Sequence, residues 1–257
     1  MRLFNDLYKY RELLNNNVKK EIRGKYKGAW LGILWSYLNP LLMMLVYSFV
    51  FKVVMKIDIP NYTVYLMTGL IPWNFFTTSV SQSATSIIVN GGIMKKVYFP
   101  REIIPISTVT ANLVNFLISC LIILVFLFAS GVGISIYILF FPLVLFIQYI
   151  LQIAIAFIVS SITVYARDLE HIIGVLLMAG FYATPIVYSM EMLPPKFKIL
   201  LSLNPVAHLI TAYRDILFAK KMPNLKMLGI VFLASLLLLY IGYLIFKRLE
   251  RKFVEEL

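Results

Sequence analysis

Charged side chains make up only 14% of this 257-residue chain, so chemistry is to be sought where they gather. Arg167, Asp168, Glu170 and His171 fall within one short segment. Paired carboxylates beside an imidazole could pass protons to a phosphate leaving group. The same residues would also serve as a local ion pair capping two helix ends, and Arg167 could instead meet a phosphate at a membrane mouth. A second gathering, KKVYFPREIIP at 95–105, sets Tyr98 and Phe99 among Lys95, Lys96, Arg101 and Glu102, with Pro100 and Pro105 as breaks. Aromatic and arginine anchors dominate protein interfaces, so this segment reads as a docking knob for a soluble partner rather than a plain interfacial loop.

Several chemistries are excluded. No G-x-x-x-x-G-K-[ST] loop occurs, so ATP is not bound here by that means. Gly91 and Gly92 precede Lys95 and Lys96 at the wrong spacing. With His171 and His208 as the histidines and Cys120 as the single cysteine, neither a metal site nor an internal disulfide is expected. Ion-driven transporters build relays from intramembrane Asp, Glu, His or Arg. The apolar stretches here hold almost none, so uphill movement would draw its energy from a partner.

Those charged clusters interrupt a chain that is 61% hydrophobic. An ordinary soluble domain carries about 25% charged residues, and a membrane span needs about 20 apolar ones. The expectation is an all-α integral membrane protein of six spans. Residues 28–51 and 59–94 lack charges and hold one helix each, placed at 29–51 and 64–90. The 64 residues between Glu102 and Arg167 are too long for one crossing and contain the breaker run ASGVGIS, which places two helices at 106–129 and 136–165. The last two spans fall at 171–190 and 227–246. Between them, 199–213 is uncharged but short for a span. Pro194, Pro195, Asn204 and Pro205 break 193–218 into two short helices, and irregular backbone at membrane depth must be buried or line a wet cavity. A re-entrant pair forming an outer gate is expected there.

Even crossings put both ends on one side. Of the 24 Lys and Arg, about two-thirds lie in 1–27, in the 95–101 link, at Arg167 or after Phe246, and this bias places both ends in the cytoplasm. The basic balance thus reads as membrane orientation and contact with anionic lipid, not nucleic acid. No cleavable signal peptide is evident, since the first 27 residues are polar and the apolar run after them is of full span length. Leu3, Leu7, Tyr10, Leu14, Val18 and Ile22 recur at spacings of three and four, the pattern of an amphipathic helix lying along the membrane surface. It is either an anchor or a collector of anionic head groups. The first half of span one is aromatic and polar. Trp30 suits the interfacial belt, whereas Trp35 and Tyr37 lie deeper and need partners for their polar atoms.

Five segments in order, KGAWLGILWSYLNPLLMMLVYSFVF, KKVYFPREIIP, YARDLEHIIG, TPIVYS followed by LP, and LNPVAHLITAYRDILF, resemble the transmembrane subunit of ABC-2 type exporters of lipid-linked polysaccharides. That group includes permeases for O-antigen and teichoic acid. The resemblance implies one transmembrane domain over 1–257 in a bacterial inner or plasma membrane. It implies a homodimer that pairs with two copies of a separate ATPase, which binds ATP and Mg, so that this chain is no enzyme and holds no cofactor. The cargo would be an undecaprenyl-diphosphate-linked or similar glycan moving outward through a channel between the two copies. Residues 93–104 would be a coupling helix entering the ATPase, using Lys95, Lys96, Tyr98, Phe99, Pro100, Arg101 and Glu102. Residues 1–27 would be an interface helix whose Lys19, Arg23 and Lys25, with Arg167 and Asp168, hold a lipid head group at the inner gate. Trp30, Trp35, Tyr37, Tyr182 and Tyr188 would suit a sugar path, because flat rings stack on pyranose faces. Two further readings stay open: an ABC-2 permease for a drug or a non-glycan lipid, and a membrane enzyme of glycan assembly.

Overall fold

The computed structural model describes residues 8–26, 30–192, 194, 196 and 201–256, and every regular element among them is helical. In chain order these are α1 (Arg11–Tyr26), α2 (Trp35–Ser48), α3 (Tyr62–Val89), α4 (Gly91–Met94), α5 (Ile103–Ala129), α6 (Phe141–Tyr165), α7 (Leu169–Tyr182), α8 (Pro205–Leu217), α9 (Leu225–Leu249) and α10 (Phe253–Glu256). A π-helical turn, Phe49–Val54, prolongs α2, and a 3-10 turn, Ile136–Phe140, leads into α6. Four segments are long and apolar enough to cross a membrane: Tyr37–Val54, Ile103–Ala129, Ile136–Tyr165 and Leu225–Lys252. At 28 residues, α3 is also long enough, about 42 Å at 1.5 Å per residue, but it is rich in Ser, Thr, Asn and Gln.

Punctuation residues set the boundaries. Gly131 and Gly133 adopt φ +72° and +66° in the turn between α5 and α6, a conformation that costs glycine little. Asn224 caps α9 by accepting from the Met227 N–H at 3.2 Å, and Pro142 sits in the first turn of α6, where no N–H is needed.

Three expected boundaries are corrected. The span placed at 29–51 becomes helical from Trp35 after a turn at Gly32, whose φ is +49°; residues 27–29 lie outside the described residues. The span placed at 171–190 stops at Tyr182, because Pro185 donates no backbone hydrogen bond and biases Thr184 away from helix. The coupling helix placed at 93–104 is not continuous: α4 ends at Met94, residues 95–102 are turns and irregular backbone, and α5 begins at Ile103 beyond Pro100.

The centre of the molecule is α3, which packs on α2, α5, α6, α7 and α8 and is largely buried. Against α6 lies α9, so close that a Cβ on Gly242 would stand 2.7 Å from the Ala154 carbonyl oxygen. Small residues admit such approaches between apolar helices. A separate cluster at the other end gathers Phe99, Phe157, Phe246 and Phe253, and α1 lays Tyr10, Leu13 and Leu14 on it. By contrast α2 leaves Leu42, Leu45, Val46 and Phe49 exposed.

Candidate functional site

The 95–102 link is divided by its own packing. Lys95 and Lys96 are exposed and Tyr98 is 93% exposed. Phe99, two bonds of chain away in direction but opposite in fate, is buried among Met94, Ile104 and Phe253. Pro100 is half-buried. Arg101 donates from Nη1 to the Glu250 carbonyl oxygen and stands 6.0 Å from the Phe253 ring centre. Glu102 is 1% exposed, and its carboxylate meets the Lys247 ammonium, which also donates to Glu250 Oε1 at 2.9 Å. A buried carboxylate persists when such a partner compensates its lost hydration. The seven residues expected on one docking face are therefore corrected to two groups: Lys95, Lys96 and Tyr98 face outward, while Phe99, Arg101 and Glu102 tie the link to the end of α9. Tyr165 joins this brace by donating to the Leu249 carbonyl oxygen at 2.7 Å.

At the expected inner gate, Lys19 and Arg23 are exposed on α1, which lies along α5; the Lys25 side chain lies outside the described residues. Arg167 and Asp168 are exposed in the turn between α6 and α7, as are Glu170 and His171. Asp168 occupies the N-cap of α7 without its side chain accepting a capping hydrogen bond. Among the described residues no ion pair joins these groups to one another, and none forms a cluster of three potential metal ligands. The lysine that does fasten α1 is Lys20, which donates to Asn90 Oδ1 at 2.8 Å, between α3 and α4.

The five aromatics do not form one file. Trp30 is 97% exposed, and Tyr37 packs half-buried against the main core. Trp35 lines a cleft of about 450 Å³ between α2, α3 and α5. Tyr182 lines another, of about 240 Å³, with Tyr47, Trp73 and Phe181. There Tyr47 stacks on Phe181 with ring centres 5.3 Å apart, and Gly180 leaves room for the Trp73 indole. Tyr188 donates to the Tyr182 carbonyl oxygen at 2.7 Å. Sequence reasoning missed Tyr47, Trp73 and Phe181, because aromatics this far apart in the chain carry no mark of their meeting.

The other end of α3 carries a clasp that spacing did not reveal. Buried Arg214 of α8 donates to the Pro185 and Ile186 carbonyl oxygens and lies 3.8 Å from the Tyr65 ring centre. Tyr62 donates to the Val187 carbonyl oxygen at 2.9 Å and Tyr65 to that of Tyr188 at 2.7 Å. A Cβ on Gly69 would sit 2.7 Å from Arg214 Nη2, so glycine makes the space for the guanidinium. Asn204 caps α8 by accepting from the Val206 N–H at 3.0 Å and donates to Thr184 Oγ1 at 3.0 Å, with Pro205 in the first helical turn. Asp215 pairs with Lys221 at 3.3 Å, and burial raises its carboxyl above the ordinary range. Of the expected gate residues, Asn204 and Pro205 belong to this clasp, Pro194 is exposed, and Pro195 lies outside the described residues. The available signal was Arg214 itself, a lone cation in an apolar segment.

A family model for the ABC-2 type transporter matches residues 12–218. The chain is 39% identical over 247 residues to the O-antigen export system permease protein RfbA of Klebsiella pneumoniae, covering 96% of this chain and 95% of that one. It is 37% identical over 259 residues to the protein of the same description from Myxococcus xanthus, covering 100% of each. The polysialic acid transport protein KpsM of Escherichia coli is more distant, at 24% identity over 246 residues, with 90% of this chain and 91% of that one covered.

Proposed function

This chain belongs to the ABC-2 type transporter family, and from that premise we propose that it is the permease subunit of an ATP-driven exporter moving a lipid-linked polysaccharide out of the cytoplasm. The observation that carries this reading is similarity to O-antigen export permeases over the whole chain. Two copies form the channel and two copies of a separate ATPase, which hold ATP and Mg, drive it. The chain crosses the inner membrane six times, with α2, α3, α5, α6, α7 and α9, and both ends face the cytoplasm. At 14 residues, α7 spans only about 21 Å, so 183–192 complete its crossing.

Within that frame Lys95, Lys96 and Tyr98 enter the ATPase, and Phe99, Pro100, Arg101 and Glu102 pass its movement to the ends of α5 and α9. An ATPase that tilts the exposed half of the link drags both helices, because Arg101 and Glu102 are bonded across the gap. Lys19, Arg23, Arg167 and Asp168 serve the diphosphate of an undecaprenyl-type carrier at the inner mouth. Trp35, Tyr182 and Tyr188 flank the glycan path, and Asn204 with Pro205 belongs to the outer gate.

The deciding experiment purifies the chain from its native membrane with the ATPase encoded beside it and measures ATP turnover with and without the lipid-linked glycan fraction. A stable complex of two permeases and two ATPases, stimulated by that fraction, is expected. A chain that recruits no ATPase overturns the proposal.

A further inference from the structure

Two polar stripes face each other inside the apolar bundle, and neither is used by the functions assigned above. On α3, Asn74, Thr78 and Gln82 recur every four residues, and on α5, Asn112, Asn115 and Ser119 recur at spacings of three and four. Such spacing aligns side chains on one helix face. The stripes meet where Asn112 Nδ2 donates to Gln82 Oε1 at 2.9 Å. Together they line the 450 Å³ cleft beside α2 and a second cleft of about 290 Å³ that reaches Lys20 and Glu21 on α1. Because Asn112 and Asn115 belong to both, the two clefts form one groove. From Val89 at its lower end to Asn74 at its upper end the groove climbs about 22 Å along α3.

A row of amides and hydroxyls is costly against hydrocarbon and calls for a polar occupant. The wall of the upper cleft carries no ionisable side chain among the described residues, which disfavours a phosphate, a ligand that selects arginine or lysine. The nearest cation, Lys20, already donates to Asn90. Asn, Gln, Ser and Thr each offer both a donor and an acceptor, matching the hydroxyls of a neutral sugar, while Trp35 and Phe75 present flat faces for its C–H edges. We propose that this groove is a binding site for neutral sugar residues of the lipid-linked glycan, joining the membrane-surface helix α1 to mid-bundle. The inference rests on the export reading above and adds a place on this chain where cargo is held.

The chain's single cysteine makes the test direct. In a Cys120→Ser background, Thr78→Cys and Asn115→Cys place thiols in the groove, and Val125→Cys places one on the exposed apolar face of α5. Inside-out vesicles are treated with a membrane-impermeant sulfonated maleimide, from cells that make the lipid-linked glycan and from cells blocked in its synthesis. The expected result is labelling of both groove thiols in glycan-free vesicles and about tenfold slower labelling in glycan-loaded ones, as occupancy at ten times Kd requires, with Val125→Cys unlabelled in both. Equal labelling in the two preparations overturns the proposal by showing a wet groove that holds no glycan. Unlabelled thiols that cross-link under copper phenanthroline overturn it by showing a second copy in the groove, and unlabelled thiols that do not cross-link overturn it by showing lipid there. Glycan export by the Cys120→Ser chain itself is measured in parallel. Export without protection sinks the groove alone, whereas absence of export sinks the function it rests on.

Discussion

Arg101 and Arg214 make the same kind of bond at opposite ends of α3. Arg101 donates to the Glu250 carbonyl oxygen from a half-buried position. Arg214 donates to the Pro185 and Ile186 carbonyl oxygens from the core. What differs is what surrounds them. Around Arg214, Tyr62 and Tyr65 bind the next two carbonyls of the same loop, so four successive backbone groups are fixed to two helices. Around Arg101, the preceding residues Lys95, Lys96 and Tyr98 stand in the open, and a lysine that is itself part-exposed meets the Glu102 carboxylate. Regions with few buried contacts and exposed hydrogen bonds open at lower cost. The outer arginine is a clasp that holds a loop still, and the inner one is a joint that transmits movement.

Breaking the clasp is expected to have the largest effect on stability. Arg214→Ala leaves two buried carbonyls unpaired and removes the cation over Tyr65, a loss of about 3 kcal/mol. Arg214→Lys recovers less than half of it, since an ammonium cannot reproduce the planar fork. Thermal inactivation of the detergent-solubilised protein checks both, and an Arg214→Ala protein as stable as the wild type would show that the clasp is not an anchor.

The joint is expected to yield less. Lys247→Met strands the buried Glu102 carboxylate and costs about 2 kcal/mol, and adding Glu102→Gln returns more than half by removing the stranded charge. A double-mutant cycle measures this coupling. Independent, additive effects would mean that the link and α9 are neighbours without being tied.

Tyr98→Ala separates docking from folding. A side chain so exposed is expected to shift stability by less than about 0.5 kcal/mol, while loss of an aromatic anchor weakens ATPase association about thirtyfold, some 2 kcal/mol. Titration of the ATPase against the permease in nanodiscs reads that change. Unaltered affinity would move the docking face away from Tyr98.

Much of this contrast was legible in the residues, though unevenly. That 95–105 is a special link followed from four charges and two aromatics between apolar runs, and α5 and α6 followed from the absence of charge between Glu102 and Arg167. The division within the link was not legible: Tyr98 and Phe99 are adjacent aromatics, and the burial of one depends on Phe253, far along the chain. The early end of α7 was available in Pro185 but was outweighed by continuous hydrophobicity. The groove stripes were present as spacings on α3 and α5, yet equally spaced polar residues also occur on helix faces that never meet.

Sequence alone determined the helical, membrane-embedded class, the orientation bias of the basic residues and the absence of a phosphate loop. These follow from composition and local spacing, since lipid demands that each apolar segment satisfy its own backbone as helix. Tertiary structure alone decided which residues of the link face outward, that Arg214 is enclosed by Tyr65 and two carbonyls, and that Asn112 meets Gln82. Each of these rests on contacts between distant segments, as in the Arg101 bond to Glu250 across 149 positions, and no local pattern encodes which helix faces will be brought together.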